Sequence, residues 1–207
     1  MEIEIAEALN KNSEKFKSQE IDLTQMLKVV EECFEKCVNF DDLESIILYC
    51  LEDKSGAGIA LAKTLTERAV HKREQGQLKP VERFGKAVSL TIEFLIIANA
   101  FVRYQPNGKE LFMVYFNRAD GLASESFDYR QLAGSLYDAC WKAEDPTIDP
   151  DYVRTRELMR RAVELSVQEN SLTGLEDMES MAKDQINDKD FAKSITALKR
   201  KMKKANL

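Results

Sequence analysis

The residues able to do chemistry are few. The chain has one histidine, His71, so a serine–histidine or cysteine–histidine nucleophile would need it as base. Glu67 lies four residues before it, and on a helix the two could share a metal. A di-iron bundle needs two Glu-x-x-His motifs and two further carboxylates, and the sequence has no such motif. Set among Arg68, Lys72 and Arg73, His71 reads as a solvated surface residue. Cys33 and Cys37 are also four apart, but structural zinc asks for a second closely spaced pair. Only Cys50 and Cys140 remain, so the four read as buried, reduced thiols.

Gly56-Ala57-Gly58 before a helix suggests a phosphate loop. The Walker lysine is missing, however, as are the preceding strand and third glycine of a dinucleotide fingerprint. A helix–helix connection is the better reading. Glu93 is the only charge between Val88 and Val102. A buried carboxylate needs a cation or donors, otherwise its pKa rises. Arg103 is too far along the same helix, so the partner must come from elsewhere. An enzyme without a local motif would build its pocket around Glu93.

Two features carry more functional content. From Phe101 to Trp141, nine of the seventeen aromatic residues fall within 41 positions. They are interleaved with Arg103, Lys109, Arg118 and Arg130, a mixture suited to planar, anionic or peptidic partners. Arg103, Tyr104, Lys109, Arg118, Tyr129 and Arg130 are the candidate binding residues there; the alternative is a plain core with a charged rim. The second feature is the end of the chain, where Lys199, Arg200, Lys201, Lys203 and Lys204 place five cations in nine residues. The net charge is −6, so the remaining residues carry −11. Such a tail can neutralise phosphates, with strong salt dependence, or simply answer the dipole at a helix end.

The elements that must position these groups are helical. Only 8 Gly and 4 Pro occur in 207 residues, and 44 % of residues are hydrophobic against 32 % charged, a composition for a globular protein with few tight turns. Asp22 with Gln25 forms a capping box before Leu23, Met26, Leu27, Val30, Cys33, Phe34 and Cys37. Asp41 with Glu44 repeats the device. A helix from about 59 to 75 ends at Gly76, and Pro80 opens a long apolar helix from Val81 towards Ala100. At fifteen residues, the run Val88–Val102 is too short to span a bilayer. Phe101–Tyr104 and Leu111–Phe116, either side of Pro106-Asn107-Gly108, predict a small β-hairpin near residues 101–117, with a helical hairpin as rival. Ser126 or Asp128 caps a helix carrying Leu132, Leu136, Cys140 and Trp141. The turn-rich stretch Glu144–Asp151 is the internal boundary, and three more helices follow.

The expectation is therefore a mainly α protein, a multi-helix bundle of about eight helices with that one hairpin. Residues 1–145 form a helical main body and 146–207 a C-terminal helical segment with the basic tail. The missing catalytic kit favours a non-enzymatic interaction protein: an adaptor, scaffold or self-assembling subunit using no cofactor and no metal. The runner-up is a nucleic-acid-binding protein for single strands or RNA, opposed by a pI of about 5.1. Protein partners or self-association, no membrane, and a cytoplasmic setting complete the reading; the acidic N-terminus lacks the positive region and apolar core of a signal peptide.

Overall fold

The computed structural model describes residues 2–52, 56–102, 108–142 and 145–205. Among them are ten α-helices and one two-stranded antiparallel ribbon, so the fold is mainly α. The chain divides into two compact units, Met1–Tyr115 and Phe116–Leu207.

The first unit holds α1 (Glu2–Lys17), α2 (Leu23–Glu35), α3 (Phe40–Cys50), α4 (Ala57–Glu74) and α5 (Leu90–Val102), with β1 (Glu82–Arg83) and β2 (Lys86–Ala87) between the last two. α3 is its hub, touching α1, α2, α4 and α5. Met26, Val30, Phe34, Phe40, Leu43, Ile46, Leu65 and Ile97 are almost wholly buried. The capping box of Asp22 and Gln25 forms as the sequence predicts. The next cap sits two residues earlier than expected: Asn39 accepts from the amides of Asp41 and Asp42. Asp41 is thereby released to hold Arg83 of the ribbon at 2.6 Å. Gly76, at φ +72°, closes α4 as expected.

The helix expected from Val81 is corrected. Phe84 and Gly85 both take left-handed φ, 54° and 74°, the geometry of a two-residue turn between twisted strands. Glu82 pairs with Ala87 and Arg83 with Lys86, and α5 begins only at Leu90. The hairpin among the described residues therefore lies at 82–87; of the stretch 101–117, residues 101–102 and 108–117 are helical and 103–107 lie outside the described residues. Phe101 and Val102 end α5, and residues 108–122 form α6 (Gly108–Leu122). Phe112, Tyr115, Phe116 and Ala119 are buried at helical spacing while Val114, Asn117 and Arg118 face solvent, a pattern of period 3.6 that the aromatic content obscures.

The second unit runs from the last turns of α6 through α7 (Ser126–Lys142), a 3-10 turn at Pro150–Tyr152, α8 (Val153–Gln168), α9 (Leu172–Ser180), a π-helical turn at Met181–Gln185 and α10 (Lys189–Ala205). α7 packs along α8; α9 lies on both, and α10 packs mainly on α9. The turn-rich joint at 146–150 falls within this unit. Buried Asp149 accepts from the amides of Arg154 and Thr155 and from the Thr155 hydroxyl, starting α8 much as a cap would. Ser126 is tied by its amide and hydroxyl to the carboxylate of Glu169, which fixes the start of α7 to the end of α8.

Candidate functional site

Glu93 sits in the first turn of α5 because the ribbon displaces the helix start. It is 0 % exposed. Its Oε2 accepts from Arg73 Nε of α4 at 2.9 Å and its Oε1 from the amide of Val81 at 2.7 Å. The partner thus comes from another helix, as the sequence requires. Both oxygens serve the fold, joining α4, the ribbon approach and α5, as a wholly buried carboxylate requires. His71 is exposed and shares a 2.8 Å hydrogen bond with Gln75. Among the described residues no three His, Cys, Asp or Glu side chains gather in a metal-binding group. Cys33, Cys37, Cys50 and Cys140 are free thiols. Burial pushes Cys37 up to about 12 and raises Cys33 and Cys140, so at neutral pH these three are protonated and poor nucleophiles.

The described candidates of the aromatic–basic segment fall on α6 and α7. Arg103 and Tyr104 lie outside the described residues. Lys109 is half-buried in the first turn of α6, within the first unit, and Arg118 is exposed near the end of that helix, in the second. The Tyr129 hydroxyl donates to the Ala123 carbonyl at 3.3 Å, and Arg161 lies over its ring at 5.9 Å. Arg130 is bonded through Nη1 to Asp177 of α9, with its guanidinium 5.2 Å from the centre of the Phe127 ring. Tyr129 and Arg130 therefore help hold α7, α8 and α9 together.

The basic end is helical through Ala205. Lys199 is 18 % exposed and bonded to Glu179 at 2.7 Å, with Glu176 at 3.5 Å. Its hydrogen bond to Glu179 lowers the glutamate's pKa and raises its own. Lys199 is thus a clasp between α9 and α10. Arg200, Lys201, Lys203 and Lys204 are exposed. At 100° per residue, Lys189, Lys193, Arg200 and Lys204 form one outward row about 60° wide and about 22 Å long. Lys189 and Lys193 were missed in the sequence because the eye stops at the terminal run; the spacing i, i+4, i+11, i+15 contains them. They also line an open groove of about 360 Å³ with Glu179, Lys183, Ala192 and Thr196, beside the π-helical turn.

A second surface lies on α7. The helix α7 buries Leu132, Leu136 and Cys140 as expected, but Trp141 is 72 % exposed and Phe127 47 %. Counting by helical spacing, Phe127, Gln131, Gly134, Asp138 and Trp141 share one face, opposite the buried residues. Trp141 adjoins the expected apolar stripe in sequence but lies past its edge.

No protein-family model matches the chain, and no curated protein or solved structure matches it.

Proposed function

We propose that this chain is a non-enzymatic helical interaction protein, an adaptor or self-assembling subunit. The observation that supports it is the outward face of α7, which leaves the chain's only tryptophan, Trp141, largely exposed and Phe127 half-exposed. Tryptophan and phenylalanine are residue types enriched in protein interfaces. A catalytic role for Glu93 draws no support, since Arg73 and Val81 occupy its oxygens.

A second reading, nucleic-acid binding, is favoured by the row Lys189, Lys193, Arg200 and Lys204. Lysines and arginine in line along a helix can track a phosphate backbone. The row stands on a chain of net charge −6, which keeps this reading second. No described helix is long and apolar enough to cross a membrane; four cysteines without a disulfide fit a reducing, cytoplasm-like compartment.

Size-exclusion chromatography with light scattering, recording the 260/280 nm absorbance ratio, separates the two readings. The interaction reading expects a clean oligomer, or a clean monomer that binds a protein partner. A nuclease-sensitive high ratio that is lost in Lys193→Glu/Arg200→Glu would replace it with the second.

A further inference from the structure

We propose that the outward face of α7 is a two-fold self-association seam. Two copies cross antiparallel at Gly134, and each sets its Trp141 against the other's Phe127. This rests on the interaction reading above and names the partner as a second copy of the chain.

The argument begins with symmetry. Phe127 lies seven residues before Gly134 and Trp141 seven residues after it. Seven residues return to nearly the same side of a helix, about 20° out of line. In an antiparallel pair crossing at Gly134, a residue n positions before the glycine faces the one n positions after it in the other copy. Phe127 then meets Trp141 twice, once at each end of the seam. A self-complementary face of this kind is what a closed two-fold dimer needs.

Gly134 supplies the second argument. It lies inside α7, where glycine is unfavourable compared with alanine. A Cβ placed on it would meet nothing within 4 Å, and it does not need a left-handed φ. Among the described residues no neighbour accounts for the glycine, as none does for Gly121 of α6; at Gly134, unlike Gly121, two large exposed aromatics lie seven residues to either side. A second backbone approaching closely at the crossing point accounts for it.

Charge gives the third argument and the direction. Arg130 and Asp138 lie four residues on either side of Gly134. The antiparallel crossing puts the cation of one copy beside the carboxylate of the other, whereas a parallel, in-register pair would oppose like charges. Arg130 keeps its bond to Asp177 and is largely buried, so it sets the direction by the placement of its charge and not by a direct contact. The exposed parts of the four rings amount to roughly 500 Å² of apolar surface. A standard interface buries about 1,200 Å² or more, so this pair assembles reversibly with concentration.

Trp141 is the only tryptophan and reports directly on the seam. Its emission shifts to shorter wavelength as the full-length protein is concentrated, in step with the mass measured by light scattering. Trp141→Ser raises the dimer dissociation constant at least tenfold without lowering Tm. Gly134→Cys, mildly oxidised, gives a disulfide-linked dimer on a non-reducing gel, because a residue on the two-fold axis meets its own copy. Thr64→Cys, exposed on α4, measures chance collision. Cross-linking no faster than Thr64→Cys in a chain that still oligomerises overturns the α7 crossing and leaves the interaction reading standing. A wild-type monomer at all concentrations that binds no protein overturns both, and a nucleic-acid-dependent oligomer indifferent to Trp141→Ser overturns the seam in favour of the basic row.

Discussion

Glu93 and Trp141 are each the odd residue of their helix, and the fold treats them in opposite ways. The carboxylate in the apolar run of α5 is wholly buried and has both oxygens bonded by protein donors. The indole of α7 is left in water. A buried polar group is tolerated when its hydrogen bonds are made inside the chain. A large apolar group on the surface has no such inward explanation. An unusual residue that is answered within the chain is structural, and one that is left unanswered is the place to test for a partner outside it.

The sharpest way to break this contrast is to remove the answered group. Glu93→Ala leaves Arg73 and the Val81 amide without their partner. It is expected to cost about 3 kcal/mol, reduced from a fully buried pair because Arg73 keeps some access to water. Urea unfolding followed by circular dichroism measures it. A loss no larger than that of Trp141→Ser would dissolve the distinction between the two residues.

The contrast recurs within one unit, at two glycines. A Cβ on Gly174 in α9 would collide with the side chain of Ser166 on α8, whose buried Oγ has no hydrogen-bond partner among the described residues. Gly174→Ala is expected to cost about 2 kcal/mol through this overpacking. Ser166→Ala alone should be near neutral, because its hydroxyl makes no bond to lose. Combined with Gly174→Ala it removes the closest clash and recovers part of the loss. Additive effects in the double mutant would mean that the two residues do not meet.

These contrasts show which parts of the molecule were legible in the sequence. Helices with local signals were read well: the capping box at Asp22 and Gln25, the stop at Gly76, and the stripe of Met26, Val30, Cys33 and Phe34 all depend on neighbours three or four residues away. The ribbon was read in the wrong place because its left-handed turn uses Phe84, fully exposed at 105 %, where asparagine, aspartate or glycine would have signalled it. Pro80 looked like a helix start for the same reason. The need of Glu93 for a distant partner followed from physical chemistry, but Arg73 could not be named, since the pairing depends on how α4 and α5 pack. Trp141 was read only as carried by the same helix as Leu132, Leu136 and Cys140; its angle around α7 is what places it outside.

The clasp between α9 and α10 tests whether the basic end is bound into the fold. Glu179 is held below its ordinary value of 4.5 mainly by the hydrogen bond from Lys199. A depressed carboxylate contributes stability above its unfolded-state pKa and loses it as pH falls through the lower folded-state value. Lys199 is raised from 10.5, so its contribution holds below that pH and fades as pH climbs through the higher folded value. Between these limits Glu179→Gln should cost about 1 kcal/mol, the scale of a partly exposed pair, and the difference from wild type should vanish in strong acid. A difference that persists below the titration of the carboxylate would show that the side chain acts by shape and not by charge.

The smallest effect has the opposite sign and isolates α7 most cleanly. If Gly134 is open space in the single chain, Gly134→Ala adds a methyl that touches nothing and exchanges a poor helix former for the best one. The single chain should gain about 0.5–1 kcal/mol. In a dimer crossing at this residue the same methyl pushes the two backbones apart, so association weakens while folding strengthens. A variant measured at low concentration should therefore melt higher than wild type, and at high concentration it should assemble less. A merely structural glycine would lose stability, as Gly174 should, and an irrelevant one would gain stability and leave assembly unchanged. Only a glycine kept for a second copy separates the two readouts in opposite directions.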